Sequence, residues 1–555
     1  MQAVATKQAA QVISNASAPV GVGNRNVYLT SVAGALRKKG LLQAAIDSAL
    51  QSINASHFAS PLPTYEVQRI AASVSRYNQT YSSADIIKTL NDVGNAERLV
   101  GNYGEDLRFV SELKGWYVWD GSMWVRDAAR VQLQEFSKMI ARAIFDEVSF
   151  HGDNIDIAKA IAKHASNTHN LIRLNNMLEI ASRDPVVAIS ASILDQHVML
   201  FGVANGVIDL YTGKIRPYLR SDLITQHSPV MFDAEAKCPI FWQFMWRITR
   251  IFDGIKNPKI RKKKQLELIL YLRRMIGYCL TGKTDSQVMF FFYGSGANGK
   301  STLLNVILKL LGHAMAKQTP SETLMSSFGQ SKATNDLAGL QRARVVTANE
   351  IEDGSFLSEN LVKQMTGGDP ISCRFLYAEF FEYIPQFKLF ICGNHKPVIR
   401  GTDNGIWRRI QLVPFLVTIP EGERDPNLGN KLQAELSGIL NWALVGCREW
   451  QKKGLKPPKV ITAAVDEYRE EMDILGSWIS ERCEVGIDKT VKASDAYENY
   501  EFWARANGLK PMANTAFGRR IVERKFTKTR GSAGYVYHGL ELKPRLYDNW
   551  VCVNN

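Results

Sequence analysis

Several things this 555-residue chain lacks narrow it before any motif is considered. Its seven cysteines (Cys238, Cys279, Cys373, Cys392, Cys447, Cys483 and Cys552) include no Cys-x-x-Cys pair. That spacing argues against a zinc site or a disulfide framework and for reduced thiols in a reducing compartment. No charged-then-apolar leader opens the chain, and no apolar run approaches the ~18 residues of a membrane span. The expectation is a soluble, cytoplasmic protein with no membrane partner. There is no internal repeat and no extended low-complexity tract. Acidic residues are in deficit, 54 Asp and Glu against 68 Lys and Arg, which leaves a net charge of +14. Such an excess suits a polyanionic partner, nucleic acid above all. A chain of this length holds roughly three to four domains.

What is present is concentrated at residues 294–301, Gly-Ser-Gly-Ala-Asn-Gly-Lys-Ser. The apolar run Val288-Met289-Phe290-Phe291-Phe292 leads into it, and Thr302 to Leu308 reads as a helix. Strand, glycine-rich loop and helix in this order make a phosphate-binding loop. Gly294, Gly296 and Gly299 allow a tight turn whose N–H groups point at a polyphosphate on the helix N-terminus. Asn298 and Thr302 belong to the same loop. Lys300 is expected to reach the β- and γ-phosphates, and the Ser301 hydroxyl to take a place on Mg²⁺. The chain is expected to bind a nucleoside triphosphate.

Around this loop the sequence divides as follows. Residues 1–20 are small and polar, a loosely ordered tail. Leu29, Val32 and Leu36, then Leu42, Ile46 and Leu50, then Val67, Ile70, Ala71 and Val74 mark the buried faces of three short helices, the third opening at Thr64. They form a small module over 21–80. Residues 81–255 mix helices with short hairpins, one turning at Asp120-Gly121 between Trp116 and Trp124, another at Thr212-Gly213. The tryptophans of the first are expected to pack a core. The basic stretch Lys256 to Lys264 opens a helix with Leu266, Leu268, Ile269, Leu272 and Ile276, and with it a nucleotide-binding domain over 256–455. Lys453 to Lys459 reads as a linker. Beyond it, over 465–548, two helices (495–506 and 515–523) and a β-wing (525–537) make a winged-helix pattern. Its Arg519, Arg520, Arg524, Lys528 and Arg530 are candidate DNA contacts.

Inside the nucleotide-binding domain, Arg344 to Asn349 is a buried-strand pattern ending at Glu350. A carboxylate there can hold Mg²⁺ or orient the attacking water. Asn349 stands where two consecutive acids are usual, which leaves these duties open to sharing with Glu352 and Asp353. Residues 371–383 read as a hairpin with Arg374 near its tip and Lys363 just upstream. The strand Lys388 to Cys392 ends at Asn394, an amide that can sense the γ-phosphate and water. Arg408 and Arg409, ahead of the strand 410–415, can supply a guanidinium to a neighbouring subunit's phosphoryl group.

This order of pieces resembles the primase-helicase family of phages, plasmids and poxviruses, with its superfamily-three helicase domain. The resemblance rests on Gly-Ser-Gly-Ala-Asn-Gly-Lys-Ser-Thr (294–302), Met-Thr-Gly-Gly-Asp-Pro-Ile (365–371), Cys-Gly-Asn-His-Lys-Pro (392–397) and Gly-Thr-Asp-Asn-Gly-Ile-Trp-Arg-Arg (401–409). Residues 90–120 and 202–216 look like that family's helicase-associated domain. Residues 20–77 look like the module that follows its primase catalytic domain. The resemblance implies an α/β multidomain fold with an AAA+ core on a parallel sheet. It also implies a ring, commonly a hexamer, that hydrolyses ATP with Mg²⁺ and moves 3′ to 5′ on single-stranded DNA at a replication fork. Lys300, Ser301, Glu350, Asn394 and Arg408 or Arg409 are then the ATPase residues, and the 374–383 hairpin lines the channel. Its tip, Tyr377-Ala378-Glu379, departs from expectation in having no lysine, which leaves phosphate grip to Arg374 or Lys363. No acidic pair of polymerase type precedes the small module, so either a separate primase works beside this chain or the chain is a shortened one. The expected activity is that of a DNA helicase replicating a phage or other mobile element, in the host cytoplasm if phage-encoded. The rivals are an origin-binding initiator that remodels duplex locally and an ATP-gated loader scaffold.

Overall fold

The computed structural model describes residues 25–544 except 39–40, 42, 59–60, 76–86, 152–153, 327–334, 350, 353, 378, 402–403, 510 and 532–533. The expected tail, Leu42, Glu350, Asp353 and Cys552 therefore lie outside the described residues. Two compact units divide the chain: 1–197 with 216–226, and 198–215 with 227–555. Among the described residues no helix is long and apolar enough to cross a membrane. The six described cysteines are buried and unpaired.

In the first unit, helices Arg25–Lys38, Gln43–His57 and Thr64–Ser75 bury Leu29, Val32, Leu36, Ile46, Leu50, Val67, Ile70 and Ala71 in one small core. These are the i, i+3/i+4 positions of three amphipathic helices, each apolar stripe turned inward. A second core lies between helices Asp92–Tyr103, Val131–Asp146, Ile155–Thr168 and Leu171–Ala181 and a four-stranded sheet. That sheet includes the hairpin Gly115–Trp119/Trp124–Arg126, with Trp119 opposite Trp124 and Gly121 at φ +103° in its turn. Trp116 and Trp124 are buried as expected, and Trp124 Nε1 donates to Arg220 O at 2.9 Å.

The second unit is organised by a five-stranded, wholly parallel sheet in the order Ile410–Pro414, Met289–Tyr293, Lys388–Gly393, Val345–Asn349, Ala316–Gln318. Its central strands are apolar at most positions and buried at nearly all, because both faces are covered. Phe290, Phe292, Phe390 and Val413 point to one core, shared with helices Pro258–Cys279, Lys300–Met315 and Leu436–Lys453. Met289, Phe291, Leu389, Ile391 and Leu412 point to the other, shared with helix Glu359–Gly367 and with Tyr468 of helix Lys459–Glu471. The chain thus returns to the sheet after the Lys453–Lys459 stretch, with Tyr468 packed edge-on to Trp407 at 5.3 Å.

Beyond Asp473, helices Ile474–Arg482, Ala493–Ala506 and Asn514–Glu523 pack on a three-stranded antiparallel sheet, Cys483–Lys492, Gly534–Leu542 and Thr527–Gly531. Trp478, Tyr500, Phe517 and Tyr537 form its aromatic core.

Candidate functional site

Met289–Tyr293 delivers the chain to residues 294–299 at the sheet's carboxyl edge, where ligands of open parallel sheets lodge. The turn is left-handed at Gly296, Ala297 and Gly299, with φ of +101°, +47° and +86°. At Gly299 a Cβ would come within 2.4 Å of Ile248 Cγ2 and 3.2 Å of Phe244 Cε2, so only glycine lets helix Pro239–Ile248 close on the loop. Asn298 is buried and braces the loop from within, its Nδ2 donating to Phe415 O at 2.9 Å.

Lys300 opens helix Lys300–Met315 and is itself buried, 5 % exposed. Its Nζ donates to Gly294 O and to Asn394 Oδ1, the latter at 2.9 Å. Burial pushes its pKa below the usual lysine value. An ammonium held by one loop carbonyl and one amide, at the mouth of a cradle of backbone N–H groups, is placed to exchange those partners for phosphate oxygens. Ser301, next on the helix, is exposed, and Thr302 is half-buried. Asn394 stands just past the end of Lys388–Gly393, the strand adjacent to Met289–Tyr293, which is why the two residues meet.

One strand further out, Val345–Asn349 ends with Asn349 Oδ1 buried and without a hydrogen-bond partner among the described residues. Such an atom is costly to leave unpaired. Glu350 follows it outside the described residues, and Glu352 is exposed.

The two arginines expected to act on a neighbour's phosphate have different surroundings. Arg409 is buried, 8 % exposed, with Nε donating to Thr366 Oγ1 at 3.1 Å and Nη1 to Gly405 O. Arg408 is exposed and donates to Gln287 Oε1 at 3.1 Å. Both precede the strand Ile410–Pro414, whose first residue pairs with Met289, at the amino edge of the sheet. The five-residue strand puts them about 13 Å or more from the glycine loop.

Lys363 is half-buried on helix Glu359–Gly367. Arg374 lies at the hairpin Ile371–Cys373/Phe381–Tyr383, its guanidinium 4.7 Å from the Phe380 ring centre. Of the C-terminal cations, Arg520 donates to Arg400 O at 2.6 Å and Arg524 pairs with Asp473, so both hold helix Asn514–Glu523 against its neighbours. Arg519 and Arg530 are exposed, and Lys528 lies 4.4 Å from the Tyr535 ring centre.

Sequence reading missed two things here. One is a cleft of about 1530 Å³ beside the glycine loop, walled by Phe244 and Trp246, Thr302, Ile419 and Leu432. The other is a pair of buried cations at the opposite edge of the sheet. Arg344 donates to Leu280 O and, at 2.6 Å, to Leu200 O. Lys388 donates to Thr281 O and Lys283 O. They tie down the carbonyls just past helix Pro258–Cys279, where a cation is favoured. A basic residue beginning an apolar strand was the available signal.

Residues 14–80 match the family model "Primase C terminal 1", 96–250 match "D5 N terminal like", and 292–409 match a family of unknown function. A mimivirus protein (Acanthamoeba polyphaga mimivirus) named "Putative helicase L207/L206" is 27% identical over 398 residues, 67% of this chain and 39% of that protein. The "Primase D5" of Fowlpox virus is 32% identical over 174 residues, 30% of this chain and 21% of that protein. The chain spans well under half the length of these relatives. A solved structure described as the apo form of the NrS-1 C terminal region aligns over 82% of this chain and 100% of its own, at a TM-score of 0.42 and 11% identity. The fold is mixed α/β with a parallel sheet. These family-model matches and relatives are consistent with the viral primase-helicase family.

Proposed function

We propose that this chain is the motor of a replication helicase, an AAA+ ATPase of superfamily-three type. It assembles as a ring, a hexamer by family resemblance, and moves 3′ to 5′ along single-stranded DNA at a fork, with a separate primase as a possible companion. The observation that carries the reading is the contact of Lys300 Nζ with Gly294 O and Asn394 Oδ1 at the carboxyl edge of a parallel sheet. A polyphosphate fits this place, because the glycine cradle excludes side chains and the only buried cation beside it among the described residues is Lys300. In that reading ATP lays its base and sugar in the adjoining cleft, where Phe244, Trp246 and Ile419 offer apolar wall and Arg247, Arg261 and Lys262 are among its many charged groups. Mg²⁺ would be held by Ser301 with Glu350, and bound Mg²⁺ supplies charge neutralisation during phosphoryl transfer.

Within this reading Asn394 positions the attacking water, and Asn349 Oδ1 is a further acceptor for it. Arg408 serves the adjacent subunit's site, while Arg409 shapes the segment that presents it. The 371–383 hairpin, with Arg374 and Lys363, meets the translocating strand, and residues 465–548 act as a winged helix on duplex. An origin-binding initiator and a loader scaffold use the same nucleotide site without processive strand separation. The test is ATP turnover with and without single-stranded DNA, run beside fork unwinding. Stimulated turnover with strand separation supports the motor; turnover without separation, together with sequence-dependent duplex binding, replaces it by the initiator.

A further inference from the structure

Two chain exits lie side by side at the sheet's carboxyl edge. Gly393 pairs with Tyr293, so the residues that follow them, Asn394 and Gly294, leave adjacent strands at the same level. These two residues supply the acceptors of Lys300 Nζ. Lys396 touches both exits and ties them to a third element. Its ammonium lies 4.9 Å from the centre of the Tyr293 ring and 5.3 Å from that of Tyr468. It also donates to both carboxylate oxygens of Glu471, at 2.8 and 2.7 Å. Tyr468 and Glu471 lie one turn apart on helix Lys459–Glu471, and Tyr468 Oη donates to Pro397 O, next to Lys396.

Lysine ammonium groups ordinarily reach out into water. The Lys396 side chain is only 13 % exposed, against 43 % for its partner Glu471. Two ring faces and one carboxylate fix its charge from three sides. The ion pair itself adds little to stability, because the carboxylate is open to solvent. Its effect is on position. Asn394 and His395 are exposed, so burial in the core does not set where the Asn394 amide stands. Lys396, two residues on, is held against the residue that precedes Gly294, and the helix holds Lys396 in turn.

We infer that Lys396 is a positioning residue for nucleotide hydrolysis. Gripped by Glu471, it fixes Asn394 relative to Gly294 and so sets where the Lys300 ammonium and the attacking water stand. This rests on the reading that Lys300 and Asn394 serve phosphoryl transfer. The catalytic unit then extends past residue 455 to Glu471, and helix Lys459–Glu471 is part of the ATPase.

The experiment measures ATP turnover, KM for ATP and thermal midpoint on the full chain as wild type, Lys396→Met, Lys396→Arg and Glu471→Gln. Lys396→Met keeps the aliphatic stem and removes the charge. Because a misplacement of about 1 Å can cost roughly 100-fold in rate, its kcat is expected to fall by roughly ten-fold or more. Its KM and thermal midpoint should stay near those of wild type. Lys396→Arg, which can still reach the rings and the carboxylate, should recover most of the rate. Glu471→Gln should lose less than Lys396→Met, since the rings still hold the ammonium. If wild type hydrolyses ATP and Lys396→Met matches its kcat, the inference is overturned while the ATPase reading stands. If the thermal midpoint drops and Lys396→Arg restores nothing, the residue is structural and the inference is overturned. A raised KM with unchanged kcat places Lys396 in nucleotide binding and overturns it too. If wild type hydrolyses no ATP, the functional reading fails and takes the inference with it.

Discussion

Lys300 and Asn394 join across adjacent strands, Nζ to Oδ1 at 2.9 Å, and this contact ties the helix that opens at Lys300 to the end of the sheet's middle strand. Lys300→Ala removes the cation beside the glycine cradle, and Asn394→Ala removes its side-chain acceptor. Both variants should fold. ATP turnover is expected to fall by orders of magnitude in the first, where charge on the phosphoryl group goes unneutralised. In Asn394→Ala nucleotide binding should survive with turnover reduced, since water positioning is lost. Binding and single-turnover hydrolysis measured on both proteins check this. Near-normal turnover by folded Lys300→Ala removes the assignment.

How much of this was legible in the sequence depends on what each segment spends its residues on. Residues 288–308 were readable because an uninterrupted apolar strand, three glycines and an apolar helix have no competing interpretation. The three-helix module was readable for the same reason, since its stripes repeat at helical spacing. The edge strand Ala316–Gln318 was not, being three residues long and carrying Lys317 and Gln318. Nor was the return of helix Lys459–Glu471 to the sheet, because one residue, Tyr468, carries most of its burial beside Ile461. The roles of Arg408 and Arg409 could not be separated from sequence. Their difference is tertiary, set by Thr366 and Gly405 closing over one side chain and not the other.

The C-terminal cations divide into two groups with different expected losses. Replacing Arg519, Lys528 and Arg530 together by Ala should weaken duplex binding and reduce the salt slope by about one per lost phosphate contact. Replacing Arg520 or Arg524 removes a contact to Arg400 O or Asp473 instead. Those variants should show earlier proteolysis between residues 453 and 474 with a smaller change in slope. Equal salt slopes for the triple variant and wild type would leave this region a packing role alone.

Burial pushes the Lys388 pKa down to about 7 from its ordinary 10.5, while the carbonyls of Thr281 and Lys283 hold the ammonium. Between those two pH values the unfolded chain binds more protons than the folded one. Stability contributed by this residue therefore rises as pH increases through the window, by at most about 1.4 kcal/mol per pH unit. Lys388→Met should lose that slope and should also be less stable at every pH, because buried carbonyls lose their donor. Thermal midpoints of both proteins at pH 7 and pH 9 test it. A gap between them that widens toward pH 9 is expected, and a constant gap means the ammonium persists throughout.

Arg408 sits at the amino edge of the sheet and Lys300 beyond its carboxyl edge, separated by the length of the strand Met289–Tyr293. An arginine so placed cannot reach phosphates bound at its own loop, so any action on them is on a neighbouring subunit. Arg408→Ala should then keep its fold and nucleotide affinity while turnover falls by roughly 10³–10⁵. Arg409→Ala should behave differently, losing thermal stability because Thr366 and Gly405 lose a buried partner. Mixing Arg408→Ala with Lys300→Ala subunits creates some interfaces that carry both an intact loop and an intact arginine. Turnover of the mixture should exceed that of either variant alone, and it should rise with protein concentration as rings form. If mixtures never recover, or if Arg408→Ala turns over normally, the shared site is wrong and the ATPase must complete itself within one chain.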